Sequence, residues 1–341
     1  MANTNIIITN FTGTYANLNG NRETIITKLD IARGIVSIGK LHWNEYLKSP
    51  GKTFFDFFHE LTGFMYYVNV KPKLIINQNF TNLDPTDKGL KSYSIGMGVS
   101  KIVGERVLGI NCLQHVDKLI EDGIITFTTV LNQRGDMVGL DGNLDWHVIE
   151  AKGRTSRPYI TIKTQAKNQV NNIDKINGIK PKTKCYCIIH INNKFSEIFL
   201  NDPDDKPMNR IEMEINKNEF IRSYYDKIYK GLYELKPDFT LNVLNLNLKF
   251  SLFKIGNQKS NLYIGLEKEI LNNLIYNNKK ISESLISINN YSGELLNLNS
   301  NNLSIGIDGI LLFLDKENQL KGKITKANIA YKKQGIRFST K

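Results

Sequence analysis

The chain has 341 residues, 41% hydrophobic and 23% charged, which is the composition of a folded protein and excludes wholesale disorder. Lysine and arginine number 45 against 33 acidic residues, a formal charge of +12 that draws polyanions, nucleic acid first among them, to the surface. A lysine- and asparagine-rich coding bias gives the same charge, so charge alone decides nothing.

Three cysteines, Cys112, Cys185 and Cys187, are too few for a disulfide framework, and a Cys-x-Cys pair without further ligands makes a poor zinc site. They are expected to be reduced, in a cytoplasmic protein. The short apolar run Ile6, Ile7, Ile8 lacks the makings of a signal peptide. No apolar stretch approaches the length of a bilayer-spanning helix, so no membrane partner is expected.

In chain order, residues 22–40 have a helical pattern. An aromatic segment follows, Phe54, Phe55, Phe57, Phe58, Phe64, Tyr66 and Tyr67, which suits core packing; stacking on nucleic-acid bases is its alternative use. The stretch 77–87, with Pro85 and several Asn and Asp, reads as a domain boundary or a surface loop. From 96 to 113, Val99, Ile102, Val103, Val107 and Ile110 recur at near-helical intervals, with Glu105 among them.

Residues 124–131 predict a strand, and Asp141-Gly142-Asn143 supplies a turn before a second strand at 146–151. A helix is expected over 162–176 and a buried strand over 185–191. Beyond an Asp- and Pro-rich break at 201–207, Phe220, Tyr224, Ile228 and Leu232 at fourfold spacing predict a helix over 217–235. Strand-like stretches at 241–254, 261–266, 303–314 and 322–331 then alternate with asparagine-rich connections. The expected regions are 1–90, N-terminal, helical and aromatic; 91–200, a core of alternating strands and helices; and 201–341, mostly β or α+β.

The segment 135–154 reads GDMVGLDGNLDWHVIEAKGR. With the turn at 141–143, Asp136 and Glu150 fall on facing strands at similar distances from the bend, so the two carboxylates can converge. Glu150 and Lys152 are two apart on one strand and share a face, while Ala151 points the other way into packing. Two carboxylates, a backbone carbonyl and waters form a hard oxygen site suited to Mg²⁺ or Mn²⁺. Such a cation would polarise a phosphate and acidify an attacking water, with Lys152 orienting that water or offsetting developing charge. A salt-bridged exposed face is the plain alternative for the same three residues.

Asp141 and Asp145 rank below Asp136, the first because it sits in the turn and the second because it lies too near it. His147 shares the face of Ile149 and is expected to pack. A histidine-based centre would need His115 or His190 as its partner.

The run DMVGLD, a glycine-containing turn and WHVIEAKGR resembles the central motif of the PD-(D/E)XK restriction-endonuclease-like nucleases, over roughly 93–191. The resemblance implies a central mixed sheet flanked by helices, with Asp136, Glu150 and Lys152 as the active site; Gly135 stands where a proline often precedes the aspartate. It further implies Glu105 as an additional metal-holding acid. Lys163, Lys167 and Gln169 would be the phosphate-contacting or site-completing residues of the next helix, with Gln169 preferred to Gln165, and Arg154 would lie beside bound nucleic acid.

The expected function is a metal-dependent nuclease acting on DNA, with RNA as the second substrate class and restriction or defence against foreign DNA as the role. A homodimer, or a partner such as a helicase or ATPase, fits double-strand cutting. A non-cleaving nucleic-acid-binding or structural subunit on the same fold is the alternative. No glycine-rich phosphate loop, nucleophile elbow or metal-binding histidine pair supports a small-molecule enzyme.

Overall fold

The structure, a computed structural model, describes residues 2–38, 65–70, 73–128, 134–157, 160–203, 211–232, 237–255, 261–276, 280–315 and 336–340. The phenylalanines at 54–64 and the expected strand at 322–331 lie outside the described residues. The fold is mixed α+β, and the chain divides into two compact units. One comprises Met1–Leu41 with Leu61–Phe220, the other His42–Glu60 with Ile221–Lys341.

In the first unit, β1 (Ala2–Thr9) pairs antiparallel with β2 (Gly20–Ile26), and α1 follows at Lys28–Ile38. The helix expected over 22–40 therefore begins six residues late. The β-branched run Thr24, Ile25, Ile26 extends along β1, and a reciprocal cap then starts the helix. Thr27 Oγ1 accepts from the Asp30 N–H at 3.0 Å, and Asp30 Oδ2 accepts from the Thr27 N–H at 2.8 Å.

A small hairpin, β3 (Val68–Asn69) with β4 (Ile75–Ile76), precedes the short α2 (Gln78–Thr81) and the long α3 (Pro85–Leu108). The Asn- and Asp-rich stretch at 77–87 is thus a pair of helix starts. Asn77 Oδ1 accepts from the Phe80 N–H, and Asp84 Oδ1 accepts from the N–H groups of Thr86 and Asp87, with Pro85 in the first turn. α3 starts eleven residues before the apolar pattern that announced it and ends at Gly109, whose φ of 69° forms a left-handed cap. Residues 110–113, expected as helix, belong instead to β5 (Ile110–His115).

The remaining elements of this unit are α4 (Val116–Glu121), β6 (Ile125–Phe127), β7 (Met137–Asp141), β8 (Trp146–Arg154), α5 (Ile160–Asn171), β9 (Ile173–Ile176), β10 (Thr183–Ile191), β11 (Ser196–Asn201) and β12 (Ile211–Ile215). The helix expected over 162–176 stops at Asn171, and its last four residues form β9. A seven-stranded mixed sheet has the order β2-β1-β11-β10-β8-β7-β5, and a three-stranded sheet the order β6-β12-β9. β8 and β10 run parallel at the centre, joined through α5 and β9, and β10 is buried along its whole length.

Helices cover both faces of the large sheet near β8. On one face, α3 approaches so closely that a Cβ on Gly153 would lie 1.7 Å from the Ser92 carbonyl oxygen, and one on Gly96 would lie 2.5 Å from the Gly153 nitrogen. On the other face, Ala166 of α5 packs on Tyr186 and Ile188 of β10.

The helix α6 (Lys217–Leu232) buries Phe220, Tyr224, Ile228 and Leu232, as its fourfold spacing predicts. In the second unit β13 (Phe239–Val243), β14 (Leu248–Ile255), β15 (Leu262–Glu267), β16 (Leu303–Ile305), β17 (Ile310–Leu314) and β18 (Ile336–Thr340) form one sheet, ordered β16-β17-β15-β14-β13-β18. Between β15 and β16 lie three helices, α7 (Lys268–Ile275), α8 (Ile281–Asn289) and α9 (Ser292–Asn297), where asparagine-rich connections were expected. Ile270 and Leu274, with Ile281, Leu285 and Ile288, are their buried stripes. No described helix is long and apolar enough to cross a membrane.

Candidate active site

The β7–β8 hairpin has the register Met137↔Ile149, Val138↔Val148, Gly139↔His147 and Leu140↔Trp146. Asp141 builds its turn: Oδ1 accepts from the N–H groups of Asn143 at 2.9 Å and Asp145 at 2.8 Å. Burial works against ionisation of Asp141, but the His147 ring 3.6 Å away and these amides outweigh it and hold the carboxyl below its ordinary range. Asp145 faces Lys182 at 3.4 Å, both half exposed. Neither rival carboxylate reaches Glu150 through any contact the structure records among the described residues.

Asp136, one residue before β7, falls opposite Glu150 when the register is extended. Its backbone N–H donates to Glu150 Oε2 at 2.9 Å, and its own Oδ2 accepts from the Ala151 N–H at 3.0 Å. Lys152 Nζ donates to Glu150 Oε1. Asp136 is fixed from the other side as well, because its carbonyl accepts from the Val116 N–H at 2.9 Å. The three residues the motif singled out therefore form one hydrogen-bonded group.

Glu150 is 0% exposed. Burial pushes its carboxyl up to about 8, with a further rise from the neighbouring Asp136 charge and a partial offset from Lys152 and the Asp136 N–H. Tyr186 and Ile188, on which α5 packs, are the register partners of Glu150 and Lys152, so α5 covers the face from which both side chains project.

On α5, Ile162, Ala166 and Val170 make the stripe towards the sheet, and at 3.6 residues per turn Lys163 and Lys167 flank one side of it and Gln165 and Gln169 the other. Lys163 Nζ stands over the Phe199 ring of β11, 4.7 Å from its centroid. The glutamine flank is therefore the one turned towards β8, and the helix separates Lys163 and Lys167 from Gln169 instead of aiming all three at one point.

Glu105 is held elsewhere. Both its oxygens accept from Arg33 of α1 at 2.8 Å, in a fully buried bidentate pair, with Lys101 at 3.8 Å. Its carboxylate joins α1 to α3. Arg154 continues the face of Glu150 and Lys152 to the end of β8, half-buried.

The described histidines are spread out. His115 Nε2 and the Tyr93 hydroxyl are 2.9 Å apart, His147 Nδ1 and Thr183 Oγ1 are 2.9 Å apart, and the His190 ring meets Phe195 edge-on. His147 is buried, as its face on β8 implies. A second group that sequence reasoning did not single out adjoins Asp136. The Asp117 N–H donates to His115 Nδ1 at 3.2 Å, Arg134 pairs with Asp117, and the Tyr93 phenol is raised by burial and then by the charges of Asp136, Asp117 and Glu150. Only the proximity of Arg134 to Asp136 in sequence hinted at it.

Among the described residues no group of three or more His, Cys, Asp and Glu side chains converges as a metal cluster. What the site offers a hard cation is the Asp136 and Glu150 carboxylates. Comparison with protein-family models, with curated proteins and with solved structures found no match.

Proposed function

We propose that this protein is a metal-dependent nuclease of the PD-(D/E)XK type, hydrolysing phosphodiester bonds of DNA. The observation that carries the reading is the joined group of Asp136, Glu150 and Lys152 on the central hairpin of a mixed sheet covered by helices. The net charge of +12 agrees with a phosphate-rich substrate.

The donor set fits Mg²⁺ or Mn²⁺. Two carboxylates of like charge sit together, one of them fully buried, and both offer the oxygen donors that a hard cation takes. A bound cation would supply Lewis-acid polarisation of the scissile phosphate and a more acidic water. Asp136 and Glu150 would hold the cation. Lys152, ammonium-bearing and tethered to Glu150, places a positive charge where negative charge develops on the phosphate oxygens. Glu105 has no part in this mechanism, because it is paired with Arg33 between α1 and α3 and makes no recorded contact with Asp136 or Glu150. Gln169 is the α5 side chain best placed to reach the substrate. Cutting both strands calls for two such sites and hence a homodimer or a partner protein, and restriction or defence against foreign DNA is the role that suits such an enzyme.

The test incubates wild type, Asp136→Asn, Glu150→Gln and Lys152→Ala with plasmid, linear and single-stranded DNA and with RNA, each in Mg²⁺, Mn²⁺ or EDTA. Cleavage by wild type alone, stopped by EDTA, is the expected result, and the preferred polymer names the substrate. DNA bound but never cut, by any of the four proteins, would replace the enzyme with a non-cleaving binding subunit.

A further inference from the structure

Arg154 and His190 are register partners on the parallel strands β8 and β10. Their side chains leave the same face of the sheet, from backbones about 4.8 Å apart. That face also carries Glu150 and Lys152. His190 is only 4% exposed, yet its Nδ1 has no hydrogen-bond partner, and the buried Nε of Arg154 also lacks one. Buried polar atoms of folded proteins are almost always paired, so two unpaired nitrogens on register partners of one sheet face point to a shared ligand. Arg154 Nε is a donor in every protonation state, and His190 Nδ1 donates in one neutral tautomer and in the cation. Their common ligand is an acceptor, and an anionic one suits the guanidinium.

The surroundings give the site a direction. The row continues across the sheet from His190 to Glu197 of β11, Asn5 of β1 and Glu23 of β2, so its acidic end lies away from Arg154. Lys152 stands two residues before Arg154, about 6.6 Å along the strand. An anion is therefore favoured between Arg154 and His190, on the side nearest Lys152. The Phe195 ring, edge-on to His190 at 5.3 Å between centroids and 37% exposed, leaves an aromatic edge at the rim.

We propose that Arg154 and His190 form a phosphate subsite that holds a nucleic-acid backbone phosphate beside the one at the Asp136–Glu150 pair. The identity of the ligand rests on the nuclease reading above; the anion site itself rests on the two unpaired nitrogens. Charge-assisted bonds from Arg154 would fix the strand's register without reading sequence.

The experiment measures binding without cleavage. In a Glu150→Gln background, fluorescence anisotropy of labelled single-stranded and duplex DNA is followed over a salt series, with Arg154→Gln, His190→Ala and His190→Gln added singly and each fold checked by thermal melting. Arg154→Gln is expected to weaken binding roughly tenfold and to lower the slope of log Kd against log salt by about 1. His190→Ala weakens binding without that change of slope, and His190→Gln, which keeps an amide donor, recovers most of the loss.

Should His190→Ala fail to fold, titration of the Glu150→Gln protein with inorganic phosphate, read by the His190 ring resonances, gives a saturable shift absent in Arg154→Gln. Unchanged DNA binding in folded Arg154→Gln and His190→Gln, or no phosphate-dependent shift, overturns the subsite and leaves the two nitrogens to ordered water. The two readings fail separately. If wild type never cuts but these variants lose binding, the nuclease falls and the subsite stands; if wild type cuts and the variants bind normally, the reverse holds.

Discussion

Asp136 and Glu150 each hold the backbone of the other's strand: Glu150 Oε2 takes the Asp136 N–H, and Asp136 Oδ2 takes the N–H of Ala151, the residue after Glu150. The carboxylates are thereby locked into one geometry before any cation or substrate arrives. Such preorganisation keeps ligand groups in place without cost at the moment of reaction.

Keeping Glu150 buried beside Asp136 has a price in stability that depends on pH. Its carboxyl titrates near the ordinary value of 4.5 in the unfolded chain and at about 8 in the folded one. Between those values the folded chain retains a proton that the unfolded chain has released, so stability falls as pH rises through that window and levels off above it. In EDTA, Glu150→Gln should melt with a shallower decline than wild type from pH 5 to 8. Parallel curves for the two proteins would mean that Glu150 ionises normally.

Removing the Glu105 carboxylate takes from Arg33 both bonds of a fully buried ion pair. Breaking a buried ion pair by deleting one partner costs about 3–5 kcal/mol, and urea unfolding of Glu105→Ala should show a loss of that order. A variant that stays as stable as wild type but loses metal affinity would instead restore Glu105 to the metal-binding role its helix first suggested.

Two glycines of α3 predict opposite outcomes. A Cβ on Gly96 meets the backbone of Gly153 at 2.5 Å, so Gly96→Ala has to push α3 off β8 and should fold poorly or not at all. Gly89 is exposed, with nothing within 4 Å of its missing Cβ, and Gly89→Ala should raise stability by roughly 0.5–1 kcal/mol. Thermal melts of both variants decide this, and equal effects would contradict the close helix–sheet contact.

The three cysteines are all buried, and burial pushes the Cys187 thiol up to about 12 and Cys185 higher than its ordinary value. A thiol-specific colour reagent at pH 8 should find no fast-reacting group in the native protein and three after denaturation. Rapid modification of the native chain would place a cysteine at the surface.

The hairpin was legible because its information is local. Asp141-Gly142-Asn143 marks the bend, and the period of two puts Glu150 and Lys152 on one face and His147 on the other. The fate of Glu105 was not legible, since its partner Arg33 is 72 residues away and nothing in the local pattern links them. Residues 22–26 misled because a β-branched run beside a helix start carries no mark of the strand it pairs with. The helices at 268–297 were hidden by asparagine, a weak helix former, although Ile281, Leu285 and Ile288 kept helical spacing. Arg154 and His190 meet only through the parallel pairing of β8 with β10, which no local pattern reveals.

The parallel pairing of β1 with β11 sets a delay during synthesis. Ile6 and Ile8 find their neighbours Ile198 and Leu200 only when the ribosome has delivered almost the whole first unit, on the order of 10–40 s later at ordinary elongation rates. Until then β1 has β2 as its sheet neighbour, and an isolated two-stranded pair is marginal in water. β1 is therefore covered on both sides long after its own synthesis, and a nascent chain stalled before β11 would display an apolar edge open to chaperones or to other chains.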